Sequence, residues 1–301
     1  MMLSKNVVSF PGIGIENFEL DNVAFTIGEG FRVYWYGVII TLGIILAFIY
    51  ASFRAKYEKI KVDDLIDVAL WTVILGVIGA RLYYVLTTLE NYIPEPFNLG
   101  QFFKNVFNLR QGGLAIYGGI ICGILGIVIS TKIKKMNTIK LMDMAGPGVM
   151  IAQSLGRWGN FFNREAFGDY TDGLLAMQLP VSAVRSGEIT EKMWENMEVI
   201  NGIEFIQVHP TFLYEGLWNL GVLMFLFWYR GRKKFQGELV LWYLVLYGAG
   251  RFWIEALRTD QLLIPGIGFP ISQLLGLVLA VSGVIVIIIG HQKVKKSSVN
   301  A

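Results

Sequence analysis

Five stretches of nearly uninterrupted apolar residues, at about 36–53, 65–86, 114–131, 211–229 and 271–290, constrain this chain more than anything else in it. About twenty apolar residues in helical conformation cross a bilayer. Lipid offers no partner to an exposed peptide group, so the spanning segments have to be helices that satisfy their own backbone. Hydrophobic residues make up 54% of the 301, with 34 glycines besides, which exceeds the roughly 45–50% apolar content of a soluble domain even with glycine counted. The net charge is only +3, and its basic residues gather in short loops, so no nucleic-acid partner is expected.

Those basic loops set a topology. Lysine and arginine cluster at Arg54–Lys61, Lys132–Lys140, Arg230–Lys234 and Lys293–Lys296, and the positive-inside rule assigns all four clusters to the cytoplasm. A single span cannot join two inside loops. A further crossing is therefore required at 141–157, despite Asp143 and Pro147, and another at 238–257, despite Arg251 and Glu255. The expectation is an all-α polytopic membrane protein of seven transmembrane helices, N-terminus outside and C-terminus cytoplasmic. Residues 1–33 would form an interfacial arm and 34–301 the transmembrane domain. Residues 169–207 would form an extracytoplasmic head between the fourth and fifth spans. Before residue 33 the chain mixes apolar residues with Lys5, Glu16, Glu19, Asp21 and Glu29 and lacks a compact apolar region with a cleavage site, so the first span is expected to direct insertion.

Against this background Arg81, Arg157, Arg164, Arg251 and Arg258 fall at the outer halves of expected spans, where a cytoplasmic charge bias gives no reason to keep them. A charged side chain at mid-bilayer costs roughly 2.5–3.5 kcal/mol on insertion scales, so such residues need partners and usually serve a function. An anion is the expected partner. Tyr247, Arg251, Glu255 and Arg258 follow i, i+4, i+8, i+11 and share one helix face. If the fourth span continues through GRWGNFFNREAFG (156–168), Arg157, Asn160, Arg164, Glu165 and Gly168 fall in one broad stripe as well. The bland reading of Arg251 and Glu255, an i, i+4 ion pair that makes insertion tolerable, is compatible with function.

Cys122 is the only cysteine and reads as a small packing residue beside Gly119 and Gly123. Gly119-x-x-x-Gly123 is a small-xxx-small pair suited to close helix packing. Gly112-Gly113 and Gly118-Gly119 sit where the third span begins, and their backbone freedom suits N–H groups turned toward a lipid headgroup. His209 and His291 are far apart and no metal-ligand spacing occurs, so neither a metal nor another cofactor is expected. His209 is expected to fix a loop–helix junction. The head, with Glu188, Glu191, Glu195, Glu198 and Glu204 among apolar residues, reads as short helical or strand pieces that cap the spans or dock a substrate.

The thirteen residues 156–168 resemble the signature of the prolipoprotein diacylglyceryl transferase family. Further blocks resemble that family in order: RVYWYG (32–37), GARLYYVL (79–86), GGLAIYGG (112–119), MDMAGPG (142–148), HPTFLYE (209–215) and YGAGRFWIEALR (247–258). The resemblance implies a bacterial inner-membrane enzyme of lipoprotein maturation. In its reaction a lipobox cysteine thiol of a prolipoprotein signal peptide attacks the glyceryl carbon of phosphatidylglycerol, forming a thioether and releasing glycerol phosphate. It carries over Tyr36, Arg157, Asn160, Glu165, Gly168, Tyr247, Arg251 and Glu255. Arg157 and Arg251, with Arg81, Arg258, Tyr247, Gly112, Gly113, Gly118, Gly119 and Gly168, are the expected headgroup contacts, and Asp143, Asn163 and His209 the supporting residues.

The family often has a histidine, proposed as base, where this chain has Tyr117. A thiol of pKa near 8.5 is already about 3% ionised at pH 7, so complete ionisation gains only about 30-fold. Losing one preorganised donor to a developing oxyanion costs about 10²–10³. The arginines therefore outrank any base, and Tyr117, Tyr36 and Glu165 remain as acceptors for the thiol proton. A transporter would instead spread polar groups through the bilayer depth, often in repeated halves, and no repeat is evident. A non-catalytic lipid-binding bundle would leave the polar stripes without a shared purpose. A phosphatidyl transferase with metal-bound aspartates would need more than Asp172-Gly173.

Overall fold

The computed structural model describes residues 6–28, 30–96, 98–108 and 112–299. Lys5 and Glu29 of the N-terminal segment lie outside the described residues. Five helices are long and apolar enough to cross a membrane: α1 (Trp35–Tyr57), α2 (Val62–Thr87), α4 (Ile116–Ile133), α7 (Thr211–Tyr229) and α9 (Ile271–Val299). They match the five apolar stretches. Two more long helices, α5 (Thr138–Asn163) and α8 (Glu238–Glu255), cover the segments that charge parity required. Two short helices, α3 (Leu99–Phe107) and α6 (Glu191–Glu195), complete the set.

The all-α expectation needs correction, because a sheet is present. Its five strands run in the order β2 (Ile15–Glu19), β1 (Val7–Phe10), β5 (Met177–Pro180), β7 (Ile203–Val208) and β6 (Glu198–Ile200), each antiparallel to its neighbour. A separate hairpin pairs β3 (Val23–Ile27) with β4 (Phe31–Tyr34) and leads directly into α1. These strands have three to six residues each and come from sequence-distant segments, so each alone carries too short an alternation to announce itself. Their combined inner face supplies what no single strand could. Val8, Met177, Leu179, Ile206 and Val208 pack with Phe161 of α5 and Phe212 of α7, whose rings stack 4.5 Å apart. The sheet is thereby rooted on the ends of two helices.

The chain forms two compact units, 1–49 with 143–301, and 50–142. In the second, α2 and α4 approach closely through small residues. Close approach occurs at Gly79, Gly118 and Gly126, where an added Cβ would overlap the facing helix, and Cys122 fills the space over Gly79. Gly119 and Gly123 of the expected pair have ordinary clearance.

In the first unit the N-terminus of α8 is held by buried Asp143, which accepts from Gly237 N and Val240 N, both at 2.9 Å, and from Lys233 Nζ at 3.2 Å. A carboxylate there satisfies orphan amides and complements the helix dipole. Close approach of α8 to α9 at Gly248 and Gly276, where a Cβ on Gly276 would come within 2.7 Å of the Gly248 oxygen, fixes the helix that carries Arg251.

The glycine contacts give a paired expectation. Gly118→Ala must push α4 away from the Gly79 carbonyl and lower the thermal midpoint of the detergent-solubilised protein by several degrees, about 1–3 kcal/mol of overpacking. Gly119→Ala, whose Cβ would sit 3.5 Å from that of Ala80, should leave it within about a degree. Equal midpoints for the two variants would refute the packing assignment.

Candidate functional site

The α5 helix runs straight through the first eight residues of the signature and stops at Asn163. It stops because Arg164 and Ala166 both take left-handed backbone, φ 52° and 60°, which non-glycine residues adopt only where the surroundings impose it. Those surroundings are visible. The Arg164 guanidinium donates to the carbonyls of Asn6 and Leu20, and the Thr211 hydroxyl donates to the Ala166 carbonyl. Between them, Glu165 N donates to Asn160 O at 3.1 Å. The Glu165 carboxylate turns back over the helix end, accepting from Asn160 Nδ2 at 3.0 Å and Asn163 Nδ2 at 3.3 Å. Arg164, expected to meet an anion, instead ties the N-terminal strands to the signature.

Three segments are then knitted together by backbone. Gly168 N donates to His209 O, His209 N to Asp169 O, and Asp169 N to Leu257 O, all at 3.0 Å. Gly168 has no room for a side chain, since a Cβ would lie 2.7 Å from the Leu257 oxygen and 2.8 Å from His209 Cβ. His209 serves as the junction, its Nδ1 3.3 Å from the Tyr214 hydroxyl, and burial holds its pKa below the usual value. This stitching aligns the ends of α5, α7 and α8.

Their side chains meet in a row of alternating charge. Glu215 of α7, 3% exposed, lies 3.2 Å from Arg157 Nε and 3.3 Å from Arg251 Nη1. Arg251 also pairs with Glu255 one turn on. Arg258 lies just past the helix, its N–H donating to Glu255 O at 3.1 Å, its Nη1 3.9 Å from Glu255. Its fork grips Asp260 in bidentate fashion at 2.8 and 2.7 Å. Burial alone would raise the Asp260 pKa, but the hydrogen bond and charge of Arg258 outweigh it and hold the carboxyl below its usual range. Three guanidiniums thus face three carboxylates, and the row is neutral.

Arg157 is the least satisfied of the three. Its Nη1 donates to Asn160 Oδ1 at 3.3 Å, while its buried Nε approaches Glu215 without hydrogen-bond alignment. A buried donor left unmade costs about 1–3 kcal/mol, more when charged, so an incoming oxyanion has something to gain here. Tyr36 packs its ring over Gly159, where a Cβ would come within 2.8 Å of it, and lies within electrostatic reach of Glu165 and Arg157. Tyr36 and Asn163 line an open groove together with Asn22, Phe31, Arg32 and Tyr34. Tyr247 stacks on Tyr243 at 5.9 Å and sits within electrostatic reach of Arg157, Glu215, Arg251 and Glu255.

Arg81 directs all five N–H donors onto carbonyls of its own unit: Nε to Val106, Nη1 to Gly112 and Gly113, Nη2 to Asn105 and Asn108, at 2.6–3.1 Å. With no donor to spare it is a loop-holding residue rather than a phosphate contact. Gly112 and Gly113 adopt left-handed backbone (φ 80° each) and present carbonyls to Arg81. Gly118 and Gly119 lie in α4 on its α2-facing side, and Tyr117 belongs to the first turn of α4. Asp143 caps the opposite end of α8 from Arg251. Among the described residues no group of three or more His, Cys, Asp or Glu is placed to hold a metal ion.

Three residues of the site are not among those expected from the sequence: Glu215, Asp260 and Arg185, whose Nη2 lies 3.5 Å from Glu165. Glu215 had a signal, being the one charged residue in the 211–229 stretch.

The chain is thus a mostly helical protein with five helices long and apolar enough to cross a membrane and a buried, charge-balanced row of arginines and carboxylates where the ends of α5, α7 and α8 meet. The match to a family model narrows the class: residues 22–289 match the model described as prolipoprotein diacylglyceryl transferase, and the chain belongs to that family. Among its relatives is a Clostridium perfringens protein named phosphatidylglycerol–prolipoprotein diacylglyceryl transferase 1, 38% identical over 280 residues, 92% of this chain and 98% of the relative. The Streptococcus pneumoniae protein of that name, without the numeral, is 41% identical over 276 residues, covering 91% and 95%. The one from Finegoldia magna is 36% identical over 279 residues, covering 92% and 99%.

Arg164 and Arg157, seven residues apart, should separate experimentally. Arg164→Ala releases Asn6 and Leu20 and should speed limited proteolysis within residues 6–20 several-fold, because local opening sets cleavage. Arg157→Ala should leave that rate unchanged, and equal acceleration in both would contradict the division of roles.

Proposed function

We infer that this chain transfers the diacylglyceryl group of phosphatidylglycerol to the lipobox cysteine of prolipoproteins, the first step of lipoprotein maturation. The observation that carries the reading is the convergence of Arg157 and Arg251 on Glu215 in a chain of this family.

The chemistry needs what this row provides. The thiol sulfur attacks the glyceryl carbon that bears the phosphate, a C–S bond forms, and the C–O bond breaks with its electron pair on the phosphate oxygen. The thiol proton ends on the departing glycerol phosphate, so the products are thioether and glycerol phosphate with no further reactant. Negative charge grows on the phosphate as the bond breaks. Arg157 and Arg251 face that charge with forks that remain protonated in a low-dielectric site and bind phosphate oxygens in pairs. Arg258, Tyr247 and Glu255 support them. Asn160 and Asn163 hold Glu165, which with Tyr36 and Tyr117 is the set from which the thiol proton acceptor is drawn. Gly168 keeps the segments in register, and Arg81 holds the end of α3 and the Gly112–Gly113 backbone.

We place the protein in the bacterial cytoplasmic membrane with seven spans, α5 and α8 included, N-terminus outside and C-terminus inside. The basic clusters that flank the α1–α2, α4–α5 and α7–α8 turns and the end of α9 support this orientation. Arg251 lies about 20 Å along α8 from its basic-loop end, so the arginine row belongs to the external leaflet. Residues 169–207 form the outer head, and the N-terminal arm lies at the outer interface.

Purified protein incubated with phosphatidylglycerol and a lipobox peptide should yield a peptide heavier by one diacylglyceryl group in mass spectrometry. Arg157→Ala and Arg251→Ala should each lower the rate by about 10²-fold or more while still inserting. Tyr117→Phe should cost less than about 30-fold, the most that thiol ionisation can supply. Wild-type-like turnover in either arginine variant removes that residue from the site, and complete loss in Tyr117→Phe makes Tyr117 the base.

A further inference from the structure

The arginine row has an extension that neither the reaction nor the family blocks account for. From Arg157 the contacts run to Asn160 at 3.3 Å, to Glu165 at 3.0 Å, and from Glu165 Oε2 to Nη2 of Arg185 at 3.5 Å. Arg185 belongs to the head, between two single-turn helical segments at Val181–Ala183 and Ser186–Glu188. Its side chain is 72% exposed, against 14–18% for Arg157, Arg251 and Arg258. Its other partner is Glu188, at 3.1 Å. Burial and the charge of Asp260 push the Glu188 pKa up, with Arg185 countering. Arg185 is thus a cation at the exposed end of a chain of side-chain contacts that starts at Arg157, held by two carboxylates through contacts of the kind that exchange readily in water.

Charge bookkeeping says what such a cation is for. The buried row is neutral, so a phosphodiester adds one negative charge to it and the cleaved phosphate monoester carries up to two. The diacylglyceryl product stays in lipid, whereas glycerol phosphate is soluble only in water and has to leave the arginines. An exposed guanidinium one carboxylate away offers that dianion a second binding place.

Resting on the transferase reading above, we propose that Arg185 is a product-exit residue that exchanges its Glu165 partner for the phosphate of the departing glycerol phosphate. The Glu165–Arg185 pair stands while the phospholipid is bound, and Arg185 exchanges it for the phosphate when the monoester forms. Arg185 does not touch the reacting carbon and leaves the bond-breaking step to Arg157 and Arg251.

The test is product inhibition. Thioether formation by purified wild type, Arg185→Gln, Arg185→Lys and Glu188→Gln is measured against added glycerol phosphate, with KM for phosphatidylglycerol recorded for each. The proposal expects Arg185→Gln to raise the half-inhibiting concentration by about tenfold, the worth of one charge-assisted contact, with KM within about twofold. Arg185→Lys should fall between, and Glu188→Gln, which frees the guanidinium, should lower the half-inhibiting concentration. Unchanged inhibition in Arg185→Gln overturns the proposal, as does a parallel shift of KM and inhibition, which marks a merely structural residue. A wild type insensitive to glycerol phosphate overturns it too. Absence of any thioether from the wild type would instead fail the transferase reading, and the proposal with it.

Discussion

One buried carboxylate, that of Glu215, joins guanidiniums from two different helices, and the site depends on that junction. In the membrane placement proposed above, two arginines left to themselves would each carry the insertion penalty of a charged side chain and would repel one another. With Glu215 between them, and Glu255 and Asp260 beyond, the row is neutral as a whole while each guanidinium stays charged. Breaking a buried pair by removing one partner typically costs about 3–5 kcal/mol. The fold accordingly spends its backbone hydrogen bonds on alignment: the signature, the His209 loop and the end of α8 are stitched to one another before any side chain is considered.

On the function proposed above, neutrality also suits the row to its ligand. Excess positive charge would bind the phospholipid before bond cleavage as well as during it, and binding that is equally strong in both does not accelerate the chemical step. Here Arg157, Arg251 and Arg258 are already partnered, and of these three Arg157 keeps a misaligned buried donor. Added negative charge on a phosphate is where its interaction grows. Arg81, whose five donors are all taken by carbonyls, shows the opposite use of the same residue, as a rigid brace.

Much of this was legible in the sequence, for physical reasons that differ by element. The five apolar helices stand out because lipid tolerates few exceptions to their composition, and α5 and α8 follow from parity of the basic loops. Tyr247, Arg251, Glu255 and Arg258 were readable as a group from helical spacing, although α8 ends at Glu255 and a tight turn, not the helix, brings Arg258 in. The head reads as short helical or strand pieces, but the pairing of its strands with the N-terminal ones into a sheet is not readable. Its central pairing joins Ser9 to Gln178, and no local pattern reports a partner that far along the chain. Glu215 is readable as a lone acid in an apolar span, but nothing in the sequence shows that arginines of two other helices share its carboxylate. Arg164 misled because its partners are carbonyls of Asn6 and Leu20, and backbone acceptors leave no trace in a sequence. Arg185 and Asp260 lie in loops whose course only the fold defines.

The most direct measurement is the turnover of Glu215→Gln, with Glu215→Asp beside it, in membranes where insertion and amount of protein are matched to wild type. Glutamine keeps the shape and removes the charge that holds Arg157 and Arg251 together. The account predicts a fall in kcat of about 10²-fold or more with a smaller change in KM for phosphatidylglycerol, and partial recovery in the aspartate variant. Wild-type kcat in Glu215→Gln would contradict it, because the two arginines would then need no shared carboxylate to act.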